Sequence, residues 1–202
     1  MGHAPTPLDF TPHNRCPWSH RFDDPQREFR TLYAATDRET CFREVLAPFR
    51  PDLSARAQYE EELGRAKLTL AGLVKRSWLE KRALAQGRLE VLSGELIDLR
   101  SMDVRGDLER RYSRTLLDLG LVNLDFAELQ SRSRELTQFL AGELYRKGAA
   151  GVLYPSNLNG QPCAALFEGN ARLEPMGEPI PLKELMAELN PVLQELGILL
   201  SP

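Results

Sequence analysis

Four side chains of this sequence, each beside an expected strand or helix end, are suited to a shared piece of chemistry. Arg21 opens Arg21-Phe22-Asp23-Asp24-Pro25. Tyr33 sits in Thr31-Leu32-Tyr33-Ala34-Ala35 and Glu44 in Glu39-Thr40-Cys41-Phe42-Arg43-Glu44-Val45. Ser156 follows Gly151-Val152-Leu153-Tyr154-Pro155. An arginine can hold a phosphate through its planar donors and permanent charge. A tyrosine can stack on a flat ring. A glutamate can steady a developing positive charge. Together these are the needs of a site that splits a dinucleotide at a glycosidic bond. Taken singly, each has a plainer reading. A strand tyrosine is usually core, and a glutamate at a helix stripe edge is usually solvated. A lone arginine is usually a surface ion pair, and Pro-Ser-Asn is ordinarily a turn.

Other chemistries find less support. Ser156 has no visible general base, because His3, His13 and His20 all lie in the irregular first twenty residues. His13, Cys16 and His20 fit no common zinc spacing and have no fourth ligand nearby, so no metal is expected. The net charge of −3 gives no reason to expect direct binding to nucleic acid. No apolar run approaches membrane-spanning length, and no secretory signal opens the chain. Cys16, Cys41 and Cys163 leave one thiol over in any disulfide scheme, which suits reduced thiols in a cytoplasmic protein.

The elements that must position the four residues are read from caps and periodicity. Residues 1–20, with Pro5, Pro7, Pro12 and Pro17, are expected to form an extended arm. A strand is expected over 30–35. A helix should follow the N-cap Asp37, run to about Ala47 and stop at Pro48 and Pro51. Its apolar side is Cys41, Phe42, Val45, Leu46 and Phe49; Glu44 lies at the flank. Residues 54–84 read as the longest helical segment, from Tyr59, Leu63, Ala66, Leu70, Leu73 and Val74, with Gly64 and Gly72 as weak points and Trp78 extending the apolar face. Arg88–Arg100 reads as a strand pair turning at Ser93-Gly94. Arg105–Arg114, mixed in sign, reads as a solvated face.

Asp125-Phe126-Ala127-Glu128 resembles a capping box opening one helix to Gly148. A strand at Gly151–Tyr154, a turn near Asn159-Gly160 and a strand at Ala164–Phe167 should form a hairpin. After Pro181, Leu182, Leu185, Met186, Leu189, Leu193 and Leu196 share a helical face that should pack on its own domain or on a partner, with a kink or break at Pro191. At 202 residues the chain can bury a real core as one domain, or as one domain with an appendage. The expected division is 1–20, 21–175 and 176–202.

The order of the motifs resembles the RES family. Arg21-Phe22 is similar to its Gly-Arg-Trp/Phe element, and Leu32-Tyr33-Ala34 to its leucine-tyrosine strand. Glu44-Val45 is similar to its alanine-glutamate element, and Tyr154-Pro155-Ser156 to its tyrosine-proline-serine turn. Thr137-Gln138 also matches a common family pair. The chain departs from the pattern at Ser19-His20, where glycines are usual, and at Asp23, where asparagine is common. The family's early strand, with its own arginine and aromatic residue, has no clear counterpart.

The resemblance implies an α/β (α+β) fold similar to ADP-ribosyltransferases, a small mixed sheet with flanking helices. It also implies a toxin of a toxin–antitoxin pair that consumes NAD, with phosphate or water as acceptor. On that implication Arg21 would clamp the pyrophosphate, Tyr33 would border the nicotinamide, Ser156 would bond a phosphate or the amide, and Glu44 would stabilise the ribose cation. The implied partner is an antitoxin with a helix-turn-helix region; a homodimer is a further expectation. Two alternatives stand beside it: an inactive RES-like binding module, and an ADP-ribosyltransferase that modifies a macromolecule.

Overall fold

A computed structural model describes residues 1–51, 54, 57 and 72–202. The fold is α/β, arranged as two compact units. One comprises Leu8–Thr36 and Gly87–Pro175; the other comprises Met1–Pro7, Asp37–Gln86 and Met176–Pro202. Residues 1–20, expected as an arm, supply strand β1 (Gly2–His3) to the second unit and a 3-10 turn (His13–Arg15) to the first.

The first unit is built on a four-stranded mixed sheet. Its strands are β2 (Thr31–Ala35), β6 (Leu96–Asp98), β7 (Gly151–Pro155) and β8 (Pro162–Phe167), in the order β2-β8-β7-β6. β6 runs parallel to β7; the other pairs are antiparallel. The expected β7–β8 hairpin is present, with Gly160 at a positive φ of 72° in its turn.

Strand alternation sorts this sheet's residues. Tyr33, Ala165 and Val152 lie in register, as do Ala35, Cys163 and Tyr154, and all six face the larger core. Helices α3 (Met102–Asp118), α4 (Phe126–Gln130) and α5 (Glu135–Arg146) cover that face through Leu108, Leu116, Leu129, Leu140 and Leu144. The opposite face, with Leu32 and Leu166, packs in a smaller cluster beside the antiparallel pair β5 (Gly87–Val91) and β9 (Ala171–Pro175).

Two expectations are corrected here. β5 and β6 do not pair with each other: β5 pairs with β9, and β6 with β7. The helix opened by Asp125 is two helices. Asp125 caps α4 as expected, accepting from the Glu128 N–H, but the chain leaves helical geometry at Ser131 and restarts after Arg134.

Arg30 fastens the start of β2. Its guanidinium grips Glu168 through two nitrogens and also donates to the Thr11 carbonyl at 3.1 Å. Arg30→Ala is expected to cost roughly 1 kcal/mol, because both partners reach solvent. The hydrogen bond from Arg30 holds the Glu168 carboxyl below its ordinary pKa. That contribution is present above the ordinary glutamate pKa and is lost as pH falls through the depressed value. Urea midpoints of wild type and variant should therefore converge in acid.

The second unit holds α1 (Arg38–Leu46), α2 (Arg76–Glu80) and α6 (Met186–Glu195). Its sheets are β1-β4-β10, with β4 (Arg82–Leu84) and β10 (Ile180–Pro181), and the parallel pair of β3 (Gly72–Lys75) and β11 (Ile198–Ser201). The expected cap holds: the Asp37 carboxylate accepts from the Thr40 N–H at 2.8 Å. The helix then yields at Pro48 to a 3-10 turn, Ala47–Phe49.

The expected helix over 54–84 holds only in part where it is described. Ser54, Ala57 and Arg76–Glu80 are helical, but Leu73 and Val74 belong to strand β3. Leu73 is exposed and Val74 fully buried, an alternation of period two. Tyr59, Leu63, Gly64, Ala66 and Leu70 lie outside the described residues. Trp78 is partly buried, with the Arg82 guanidinium over its ring at 3.8 Å.

The leucine face after Pro181 packs on its own chain. Leu182, Leu185, Leu189, Leu193 and Leu196 join Phe42, Leu46, Val74, Leu79 and Leu84 in one core. Pro191 does not end α6, which continues to Glu195. The proline sits on the exposed side, where loss of one backbone donor is tolerated more easily.

Candidate functional site

The segment 19–24 is tethered at several points to the rest of the first unit. Phe22 is fully buried and its ring meets that of Tyr154 at 4.8 Å between centroids. That contact docks the loop against the strand that leads to Ser156. Thr31 Oγ1 donates to the Phe22 carbonyl at 3.0 Å. Gln138 donates from its amide to the His20 carbonyl at 3.0 Å, and Arg134 donates to the Ser19 carbonyl. The Thr137-Gln138 pair thus has a physical reading: Thr137 is buried and bonds the Arg134 carbonyl, while Gln138 reaches the loop.

Arg21 reaches the carboxyl end of α4, where one guanidinium nitrogen donates to the carbonyls of Leu129 and Ser131. The last carbonyls of a helix lack intrahelical donors, so an arginine there meets a real need. Asn157 donates to the neighbouring Gln130 carbonyl at 3.1 Å. The loop of Arg21 and the turn of Ser156 therefore meet on the same stretch, residues 129–131. Ser156 is buried, and its hydroxyl accepts from the Leu158 N–H at 3.1 Å, shaping the turn.

Tyr33 points its hydroxyl into the same loop. The Phe22 N–H donates to that oxygen at 2.9 Å, and the oxygen donates to Asp23 Oδ1 at 3.0 Å. Although part of the residue reaches the surface, the phenol is enclosed. Burial first, then the Asp23 charge, pushes its pKa well above the ordinary value. Asp23 itself is buried, its other oxygen accepting from the His20 N–H at 2.8 Å. Asp24 is fully buried and accepts from the N–H groups of Gln26 and Glu28.

Neither aspartate stood out in the sequence as a site residue. The Asp-Asp-Pro run did carry a signal, because an aspartate side chain readily bonds backbone two residues on. The His20 ring also sits edge-on to Tyr33, 5.7 Å between centroids.

Tyr33→Phe is expected to destabilise the protein by roughly 1–3 kcal/mol, because it strands the buried Asp23 oxygen and the Phe22 N–H. It should also remove an alkaline transition. A raised tyrosine pKa adds stability that is present below about pH 10 and lost as pH rises through the folded value. Melting curves from pH 8 to 12 should show the gap between wild type and variant narrowing at the alkaline end. A constant gap would remove Tyr33 as the enclosed phenol.

Glu44 belongs to the second unit, on α1, whose buried side is Thr40, Phe42 and Leu46. It is half-buried and lies away from Phe42 and Leu46, one turn after the buried Thr40. Arg21, Tyr33 and Ser156 belong to the first unit, where they share the tethered loop and the end of α4. Among the described residues, no group of three or more His, Cys, Asp or Glu side chains is placed to hold a metal ion, and no helix is long and apolar enough to cross a membrane.

No curated protein and no solved structure matches the chain. The RES domain family model matches residues 2–183 of the 202. At the level of that family, the function is NAD-related and toxin-like. The match covers nine tenths of the chain and takes in all four proposed site residues, so the protein belongs to the RES domain family.

Proposed function

We propose that this protein cleaves NAD at the bond between nicotinamide and ribose, passing ADP-ribose to phosphate or water. The observation that carries the reading is the meeting of the Arg21 loop and the Ser156 turn at residues 129–131, within a chain of the RES family. In the reaction the glycosidic C–N bond breaks and its electron pair leaves with neutral nicotinamide. Positive charge grows on the ribose carbon, and an oxygen of phosphate or water attacks it, water then losing a proton to solvent. Little proton transfer to the leaving group is needed, so electrostatic stabilisation dominates. Glu44 supplies the negative charge toward the ribose. Arg21 clamps the pyrophosphate by its planar, permanently charged guanidinium, and Ser156 bonds a phosphate or the amide. Tyr33 contributes its ring alone, because its hydroxyl is held by Phe22 and Asp23.

A cognate antitoxin with a helix-turn-helix region is the proposed partner. One observation favours a second reading, an inactive binding module. Arg21 spends one nitrogen on α4 and Tyr33 spends its hydroxyl on the loop, both structural uses. Purified protein incubated with NAD, with and without phosphate, decides between them. Free nicotinamide supports cleavage, and its phosphate dependence names the acceptor. NAD binding without nicotinamide release supports the module. ADP-ribose carried on added protein or nucleic acid would instead mark a macromolecular acceptor.

A further inference from the structure

Helix α6 and strand β11 lie beyond residue 183, where the family match stops. They nevertheless hold the helix that carries Glu44. On the apolar side, Leu189, Val192, Leu193 and Leu196 of this segment share a core with Phe42 and Leu46 of α1. On the polar side there are two ion pairs. Arg38 at the first turn of α1 meets Glu188 at 3.2 Å, and Arg43 at the last turn meets Glu195 at 2.5 Å.

Arg43 is the residue next to Glu44. Its guanidinium is mostly enclosed, 13% exposed, and bridges Glu39 of its own helix to Glu195 of α6. β11 acts on the segment that follows α1. The Gly72 N–H donates to the Gly197 carbonyl at 2.8 Å, and β11 pairs with β3 from Gly72 to Lys75. Gly72 in turn lies so close to the Phe49 carbonyl that an added Cβ would stand 1.7 Å from its oxygen. Both ends of α1 are therefore set by the segment after residue 183.

We propose that Glu195, through Arg43, is a positioning residue for Glu44, and that the segment 184–201 fixes the orientation of α1 in which that carboxylate works. The proposal rests on the reading of Glu44 as the charge stabiliser. Such a role shows in turnover more than in substrate binding, since a small misplacement of a catalytic group slows the chemical step.

The test compares Glu195→Gln, Glu188→Gln with Glu195→Gln, and Glu195→Asp in the full chain. The double variant should lose about tenfold in kcat for nicotinamide release while KM for NAD stays within about twofold. Its melting temperature should stay within roughly 3 °C of wild type, because Glu188 and Glu195 are about half exposed and Arg43 keeps its pair with Glu39. Amide exchange across α1 should quicken, and Glu195→Asp, which keeps the charge, should restore most of the rate. Unchanged kcat with unchanged exchange in α1 overturns the proposal. So does a loss of rate that only follows a loss of folded protein. If Glu44→Ala leaves turnover intact, the reading of Glu44 fails by itself. Exchange in α1 then still reports whether Glu195 fixes the helix, and unchanged exchange sinks that part as well.

Discussion

Glu44→Ala should cut nicotinamide release by at least about a hundredfold and leave the fold unchanged. The rate effect follows from removing the negative charge assigned to the developing ribose cation, where a single electrostatic group is commonly worth that much or more. The absence of a folding effect follows from the helix. Alanine is the best helix former, and Glu44 lies off the side of α1 that Phe42 and Leu46 bury. Circular dichroism and a melting curve should overlay wild type, and nicotinamide appearance gives the rate. Glu44→Gln, which keeps the size and loses the charge, should fall nearly as far. Wild-type turnover in either variant ends the assignment.

Removal of residues 182–202 should abolish cooperative folding of the second unit. The deletion takes away Leu182, Leu185, Leu189, Val192, Leu193, Leu196 and Ile198, all buried, together with the strand beside β3. Each such side chain contributes on the order of 1.5–3 kcal/mol by burial, so the seven together contribute roughly 10–20 kcal/mol, comparable to the whole 5–15 kcal/mol that holds a typical domain. The truncated chain should express insolubly, or show a lost transition by calorimetry. Leu189→Ala is the graded form of the same test and should cost roughly 2–5 kcal/mol. If the truncated protein keeps its stability and solubility but changes mass by light scattering, the leucine face serves a partner copy instead. No change in any of the three would show the face to be neither.

Local chemistry made some of this fold legible in the sequence and left other parts hidden. Asp37 before Glu39-Thr40-Cys41-Phe42 announced α1, and Asn159-Gly160 between apolar runs announced the β7–β8 hairpin. Each is a signal contained within a dozen residues. The leucine spacing after Pro181 was equally local, and its core partners are Phe42 and Leu46, more than a hundred residues away. Strand β3 was not legible. Leu73 and Val74 fit a helical stripe continued from Leu70 as well as they fit a strand, and only the distant β11 decides between the periods. The same holds for β5, whose partner β9 lies eighty residues on.

The break between α4 and α5 was hidden for another reason. Ser131-Arg132-Ser133-Arg134 has no proline or glycine, yet the Arg21 guanidinium takes the carbonyls that a continuing helix would use. As for the site, the motif residues could be named from the chain, but the uses of their polar atoms could not. Nothing in Leu-Tyr-Ala says that the phenol is held by the backbone of Phe22.

The second unit is woven from Met1–Pro7, Asp37–Gln86 and Met176–Pro202. On the ribosome, α1 emerges well before the leucines that bury Phe42 and Leu46 and before the strand that completes β3. While those residues are still inside the exit tunnel, α1 lacks most of the core that holds it, and a helix of nine residues is too short to persist in water by itself. A nascent chain would thus present Glu44 on an unsettled helix until residues 182–201 have emerged. The NAD cleavage proposed above would therefore wait until residues 182–201 have left the ribosome.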